Sequence, residues 1–262
     1  ASFIRETARS VILPRFRALK REEISEKSPG DFVTVADIEA ERRLSALLTQ
    51  AQPGSEVLGE EGAAKDPDLL RLAGSAPSLW IIDPIDGTNN FARGLPGFAV
   101  ILAYVERGAV RAGWLYDPLG DRMVWAVSGQ GAWSNRTRLK TASHPEKISG
   151  AAYGIASSGE RAVKALGRSP RVGGIRNQNC SGLEYLDIAA GETHFSLHSH
   201  SLPWDHAAGM LITAEAGGKA GFLDGGPYDP GVFDRALLAA SGGDTWQIVH
   251  EIVTSPAKHR PA

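Results

Sequence analysis

The stretch Asp83-Pro84-Ile85-Asp86-Gly87-Thr88 concentrates more potential chemistry than any other part of this sequence. Two acids stand three residues apart, directly after the apolar run Leu79-Trp80-Ile81-Ile82. A strand that ends in an acid, followed by a proline that cannot donate to a ladder, makes a stiff turn. Such a turn aims the carboxylates of Asp83 and Asp86 and the carbonyl of Ile85 at one point. Those are hard oxygen ligands, the kind that Mg²⁺, Mn²⁺ or Ca²⁺ require. Gly87 lets the backbone approach closely, and a helix starting there turns free N–H groups toward an anion such as a phosphate. The bland alternative is a surface turn in which Asp83 caps and Asp86 is solvated, because short motifs misfire often.

Two further motifs weigh against the bland alternative. Gly59-Glu60-Glu61-Gly62 follows the short apolar pair Val57-Leu58 and offers a third carboxylate, although paired glutamates usually form a solvated face. Leu202-Pro203-Trp204-Asp205-His206-Ala207-Ala208-Gly209 opens an apolar helix with Asp205 at or near its N-terminus, where capping is the ordinary role of an aspartate.

Together with Val33-Thr34-x-Ala36-Asp37, these motifs resemble the inositol monophosphatase family in order and in spacing, over residues 27–227. The resemblance implies a Mg²⁺-dependent phosphomonoesterase that hydrolyses a small phosphorylated metabolite with a metal-activated water. It implies that Glu60, Asp83 and the Ile85 carbonyl hold a first Mg²⁺, that Asp83, Asp86 and Asp205 hold a second, and that a third, weaker ion sits near Glu60. Thr88 and Asp37 would pair and, with Glu60, orient and deprotonate the water. The N–H groups of Gly87 and Thr88 would hold the phosphate. Lys27 resembles a family lysine near the metals, on a loop one residue shorter. Asp86, Gly87, Thr88, Ser181, His198 and Asp205 are the expected substrate contacts.

The sequence departs from the family where the alcohol should lie. Asn179-Cys180-Ser181-Gly182 stands in place of a Gly-Ser/Thr-Ala-Ala run, and His198 stands where the family has a glutamate seven residues before the aspartate of Trp-Asp. A carboxylate accepts from two hydroxyls, whereas a neutral imidazole has one acceptor and one donor. The expectation therefore moves away from myo-inositol phosphate. His198 either meets an anionic or differently shaped alcohol or is, like His200, a strand residue facing water. Histidinol phosphate, another sugar or polyol phosphate and a 3′-phosphonucleotide are the alternative substrates, and a regulatory family member with little catalysis is the alternative role. A glycosidase with paired carboxylates would need no metal. His194, His198, His200 and His206 match no standard zinc spacing. Cys180 reads as a small buried residue rather than a nucleophile.

Elements must position these groups. Phe3, Ile4, Ala8, Val11, Ile12 and Phe16 recur at helical spacing, and Pro14 predicts a kink or stop. Residues 25–33 read as a polar loop running into a short extended piece. Thr34 or Asp37 caps a helix that runs through Leu44, Leu47 and Leu48 to Pro53-Gly54. Phe98–Glu106, Val110–Tyr116 and Arg122–Ala126 read as an antiparallel meander. Beyond residue 150 the pattern alternates. Ala151–Ser157, Val172–Ile175 and Phe195–Ser199 read as strands, and Gly159–Leu166, Ser181–Ala190, Trp204–Ala216 and Asp244–Val253 as helices. The fold class is α/β (α+β), and the resemblance implies a sandwich of alternating helix and sheet layers. Residues 1–140 form an antiparallel-rich half with most of the metal ligands, and residues 141–262 an α/β half with Asp205.

Bulk properties fit a soluble domain. The chain has 262 residues, 42% hydrophobic and 22% charged, with a formal net charge of −2. That charge gives no electrostatic reason to bind nucleic acid or an anionic membrane. The longest aliphatic run, Phe98 to Val105, is far below the ~20 residues of a membrane helix, and no signal peptide is expected. A single cysteine suits a cytoplasmic location. The resemblance also allows a homodimer.

Overall fold

The computed structural model describes residues 1–142, 146–153 and 156–255, and the side chains of residues 156–158 lie outside the description. Helix α1 (Ser2–Thr7) widens into a π turn over Ala8–Ile12, tightens into a 3-10 turn over Leu13–Arg15 and ends there, one residue past Pro14, in keeping with the expected kink or stop. Of residues 25–33, the part expected as a polar loop is largely a strand, and the expected extended piece is present. Strands β1 (Ile24–Ser28) and β2 (Asp31–Thr34) pair as a hairpin. The expected short extended piece is β2, rich in β-prone side chains at Phe32-Val33-Thr34, whereas the polar Ser25-Glu26-Lys27-Ser28 becomes a strand only by pairing with it. Helix α2 (Val35–Ala51) then begins on Thr34, whose hydroxyl accepts from the Ala36 N–H while Asp37 reaches back to the Thr34 N–H. That reciprocal cap satisfies two N–H groups that the helix start would otherwise leave open.

Strand β3 (Glu56–Gly59) runs directly into α3 (Glu60–Lys65), and a short helix α4 (Leu72–Ser75) precedes β4 (Ser78–Asp86). After α5 (Thr88–Ala92) come β5 (Ala99–Glu106), β6 (Ala109–Asp117), β7 (Arg122–Val127), β8 (Ala132–Ser134) and β9 (Thr137–Arg138). Strands β3 to β9 form a seven-stranded sheet in chain order, with β3 parallel to β4 and antiparallel neighbours from there on. The expected meander is its centre.

The second sheet holds five strands. They are β10 (Ile148–Ala152), β11 (Val172–Ile175), β12 (Phe195–His198), β13 (Lys219–Phe222) and β14 (Leu237–Ala240), in the order β11-β10-β12-β14-β13. Between them lie α6 (Ala156–Arg168), α7 (Ser181–Ala190) and α8 (Pro203–Glu215), and α9 (Gly243–Thr254) follows. The strand expected over Ala151–Ser157 ends at Ala152; Ala156 and Ser157 belong to α6, and residues 154–155 lie outside the described residues. Sequence reading did not find β13 and β14. Gly221 interrupts one, and Leu237-Leu238-Ala239-Ala240 is uniformly apolar with no period to read.

Side-chain alternation sets the layers. Along β4 and β5, Ile82, Val100 and Leu102 face α1 and α2, packing on Ile4, Ala36, Ala40 and Leu44. Leu79, Ile81, Ile101 and Ala103 face the other way, onto Tyr185 and Ile188 of α7 and Ala207, Ala208 and Ile212 of α8. The far side of α7 and α8 meets Leu237 and Ala239, while Leu238 and Ala240 face Trp246 and Val249 of α9. The sequence of layers is helix, sheet, helix, sheet, helix. The seven-stranded sheet ends at Arg138 and the five-stranded sheet begins at Ile148, yet α7 and α8 lie between the two sheets in one core.

Candidate active site

Strand β4 does not stop at its first acid. It pairs Asp83 with Ile101, bulges across Pro84 and Ile85, and resumes pairing at Asp86 with Ala99. The bulge supplies the extra residues that turn two acids three apart toward one side. Asp83 holds its own turn by accepting from the Ile85 N–H at 3.0 Å. Gly87 follows with φ +89°, a left-handed conformation, and a Cβ there would lie 2.6 Å from the Gly97 carbonyl oxygen. That is why glycine stands at this junction. Helix α5 starts at the next residue, so its first N–H groups open toward the acids.

Asp205 comes from the first turn of α8 and does not cap it, because Leu202 is the N-cap residue. One carboxylate oxygen from each of Asp83, Asp86 and Asp205 lies within 4.8 Å of the others, and together they could hold a metal ion. Glu60, at the first position of α3, is outside that trio and lines the same cavity. The cavity is about 360 Å³ and is also lined by Ile85, Gly87, Thr88 and Arg93. Lys27 on β1 reaches Glu60 at 2.5 Å and Glu61 at 3.3 Å. Burial opposes the charge on Lys27, but Glu60 and Glu61 outweigh it and raise the pKa.

Crowded acids in a dry place resist ionisation. Burial, then the neighbouring charges of Glu60 and Asp86, push Asp83 well above the usual carboxylate range. Asp205 rises too, through burial and the charge on Asp86. Burial lifts Asp86 to about 6, against hydrogen bonds to its Oδ2 from the Gly182 N–H at 2.6 Å, the Cys180 thiol at 3.1 Å and the Ser181 hydroxyl at 3.2 Å. These donors fix one oxygen of Asp86 against α7. The donor set consists of hard oxygens whose mutual repulsion a divalent cation would relieve, so the residues fit such an ion.

The remaining expected residues fall around this centre. The Thr88 hydroxyl lies 2.9 Å from Asp37 Oδ1 and 2.8 Å from the Ile85 carbonyl. Asp37 also accepts from the Thr34 hydroxyl at 2.5 Å, and burial raises its pKa to about 6. Ser181 and His198 do not line the main cavity. They line an adjoining cavity of about 200 Å³ that shares Asp86, Asn179 and Asp205 with it. His198 does not face water. It is 7% exposed, on the inward face of β12. His200, by contrast, is exposed. Cys180 is buried, as expected. Nor is the glutamate pair a solvated face, since Glu61 is 4% exposed.

Sequence reading missed two acids. Glu41 accepts from the N–H groups of Glu61 and Gly62, each at 2.8 Å, and so caps α3 through a side chain from α2. Burial raises its pKa to about 7, as it does for Glu61. The available signal was its place four residues after Asp37, an acid on the apolar face of α2. Glu184, on α7, is 3% exposed beside the second cavity. An acid inside Ser181–Ala190, an otherwise apolar helix, was the corresponding signal.

Comparison with known proteins identifies the family. The model of the inositol monophosphatase family matches residues 2–258. An inositol-1-monophosphatase of Caulobacter vibrioides is 34% identical over 229 residues, covering 84% of this chain and 86% of that protein. A Nus factor SuhB of Xylella fastidiosa is 30% identical over 219 residues, 81% of this chain and 76% of that protein. The solved structure of an IMPase from Thermotoga maritima superposes with a TM-score of 0.81 at 28% identity, covering 96% of this chain and 95% of that one. With its layered fold and its acids at the head of α5, the chain belongs to the inositol monophosphatase family and is a phosphoric monoester hydrolase.

Proposed function

We propose that this protein is a Mg²⁺-dependent phosphomonoesterase acting on a small phosphorylated metabolite. The observation that carries the reading is the convergence of Asp83, Asp86 and Asp205 beside the Thr88–Asp37 pair. Asp83, Asp86 and Asp205 would hold one Mg²⁺, and Glu60, Asp83 and the Ile85 carbonyl another. When bound, the ions would neutralise the ester, acidify water and stabilise the departing alkoxide. The chain's own groups do the rest. The first N–H groups of α5, at Gly87 and Thr88, orient the phosphate. Thr88 Oγ1 accepts a proton from the attacking water and passes its own to Asp37, and the departing alkoxide takes a proton from solvent. Asp37, raised to about 6 by burial, is a stronger base than an ordinary aspartate. The new P–O bond forms on that side, and the P–O bond to the alcohol breaks toward Asp205 and the second cavity.

The deciding measurement is phosphate release from a panel of metabolite monoesters, before and after EDTA. Release should stop in EDTA and return with Mg²⁺; turnover that persists in EDTA would remove the metal from the reaction. A regulatory role with little catalysis is the second reading, favoured by the similarity to a Nus factor. Unchanged turnover in Thr88→Ala would support it. No helix among the described residues is long and apolar enough to cross a membrane, and the single buried cysteine leads us to place the protein in the cytoplasm.

A further inference from the structure

A buried polar chain that the hydrolytic site does not use ends at the second cavity, in Tyr153 and His198. Glu184 accepts from the Tyr153 hydroxyl, from the Gln178 N–H at 3.1 Å and from the Ser196 hydroxyl at 2.7 Å. Ser196 has one proton, and it goes to Glu184. Burial raises Glu184 to about 7, and above that value, with Glu184 ionised, the 2.7 Å contact between Ser196 Oγ and His198 Nε2 is donated by the histidine. His198 Nε2 also lies 3.7 Å from Glu184 Oε2, but burial holds its pKa down at about 3, so the ring is neutral and this is no ion pair. A neutral ring protonated on Nε2 carries a lone pair on Nδ1, and Nδ1 has no hydrogen-bond partner among the described residues. Tyr153 and Tyr185 stack on the ring at centroid distances of 5.3 and 5.7 Å, and His206 lies against it at 4.6 Å. A half-turn of the ring would keep this stacking but carry Nε2 away from Ser196, so the contact with Ser196 is what sets the ring's orientation.

Among the described residues no lysine or arginine lines the second cavity, and its only carboxylates are Asp86 and Asp205, which belong to the metal cluster. A second phosphate or carboxylate on the substrate would find no counter-charge there, and an ammonium would find Glu184 already occupied by three donors.

We propose that Glu184, through Ser196, fixes His198 as a single uncharged hydrogen-bond acceptor, and that the site thereby selects monophosphates of neutral alcohols that present one hydroxyl donor beside an apolar face. This deepens the phosphomonoesterase reading and rests on it. Glu184 and Ser196 are positioning residues; His198 is the contact. The cavity's exposed surface is mostly apolar although Asn179, Ser181 and His200 line it, so a polyol would leave some of its hydroxyls unpaired, which costs affinity.

A graded ring series tests this with Mg²⁺ present: cyclohexyl phosphate, trans-2-hydroxycyclohexyl phosphate, myo-inositol 1-phosphate and fructose 1,6-bisphosphate. The monohydroxy ester should have the highest kcat/KM, about fivefold above cyclohexyl phosphate, the worth of one hydrogen bond. Ser196→Ala and Glu184→Gln should each abolish that ratio through KM rather than kcat, and His198→Gln, which keeps an acceptor oxygen, should retain part of it. Nitrogen-15 NMR of the histidine rings in the wild-type protein should show His198 protonated on Nε2, a readout independent of turnover and of how well the variants fold. An Nδ1–H tautomer, a preference for the polyol or bisphosphate, or an unchanged ratio in folded variants overturns the inference while leaving the hydrolase reading intact. No Mg²⁺-dependent turnover of any of the four esters overturns the hydrolase reading and this inference with it.

Discussion

Thr88 is the residue on which the proposed chemistry turns, because its hydroxyl links the buried base Asp37 to the cavity that holds the acids. Thr88→Ala should lower kcat by roughly 100-fold, the lower range for loss of a positioned proton acceptor. Thr88→Ser, which keeps the oxygen, should retain most of the activity. Mg²⁺ affinity, measured by calorimetry, should change little in either variant, since Asp83, Asp86 and Asp205 are untouched. A parallel collapse of metal binding would mean that Thr88 holds the bulge of β4 together rather than serving the water. The contact to the Ile85 carbonyl at 2.8 Å makes that comparison necessary.

At the scale of elements, the site is the junction of β4 and α5, and Gly87 is the hinge of that junction. Its φ of +89° and the Gly97 carbonyl facing it leave no room for a methyl group. Gly87→Ala should both lower the melting temperature and remove activity. Gly54 offers the control, with φ +87° and nothing within 4 Å of the place a methyl group would occupy. Gly54→Ala should cost only the left-handed backbone penalty, about 1–2 kcal/mol, with phosphate release intact in the folded protein. If both substitutions behaved alike, the close approach of Gly97 would not matter to the site. The other supporting element is α3, whose start is capped by Glu41 from α2, so that Glu60 is placed by two helices at once.

For the whole molecule, the acid cluster ties stability to pH and to metal. Asp37 and Asp86 are raised to about 6, and Glu41 and Glu61 to about 7, in each case chiefly by burial. Between their ordinary values near 4 and these values, the folded protein holds more protons than the unfolded chain. Its stability therefore falls as pH rises through that window. Buried His198 and His206 act oppositely, since burial lowers both, and their contribution grows until pH exceeds the ordinary histidine value of 6.5. Above that value the histidines add nothing further and the raised acids dominate. Without metal, the melting temperature should drop from pH 6.5 to pH 8. Added Mg²⁺ should raise it, and more at pH 8 than at pH 5, because it binds the ionised carboxylates. Calorimetric melts across this grid check the sign; a metal-free protein that gains stability from pH 6.5 to pH 8 would contradict it.

The local chemistry was legible in the chain itself. Asp83, Asp86, Gly87 and Thr88 are near neighbours, so their geometry follows from a strand, a bulge and a helix start. Glu60 and Asp205 could be named because each sits at a recognisable boundary between elements. The helices Ser181–Ala190 and Trp204–Ala216 and the central meander showed in their apolar periodicity. What lies across the layers was not legible. Whether His198 faces water or the core depends on β12 being covered on both faces, by α7 on one and α9 on the other, which a four-residue run does not reveal. Whether Glu41 and Glu184 are surface acids or buried anchors depends on donors far along the chain, Glu61 for one and Tyr153 and Ser196 for the other. Sequence determines which groups can ionise, accept or turn at a local junction. Burial and hydrogen-bond partnership are relations between distant segments, and only the packed layers decide them.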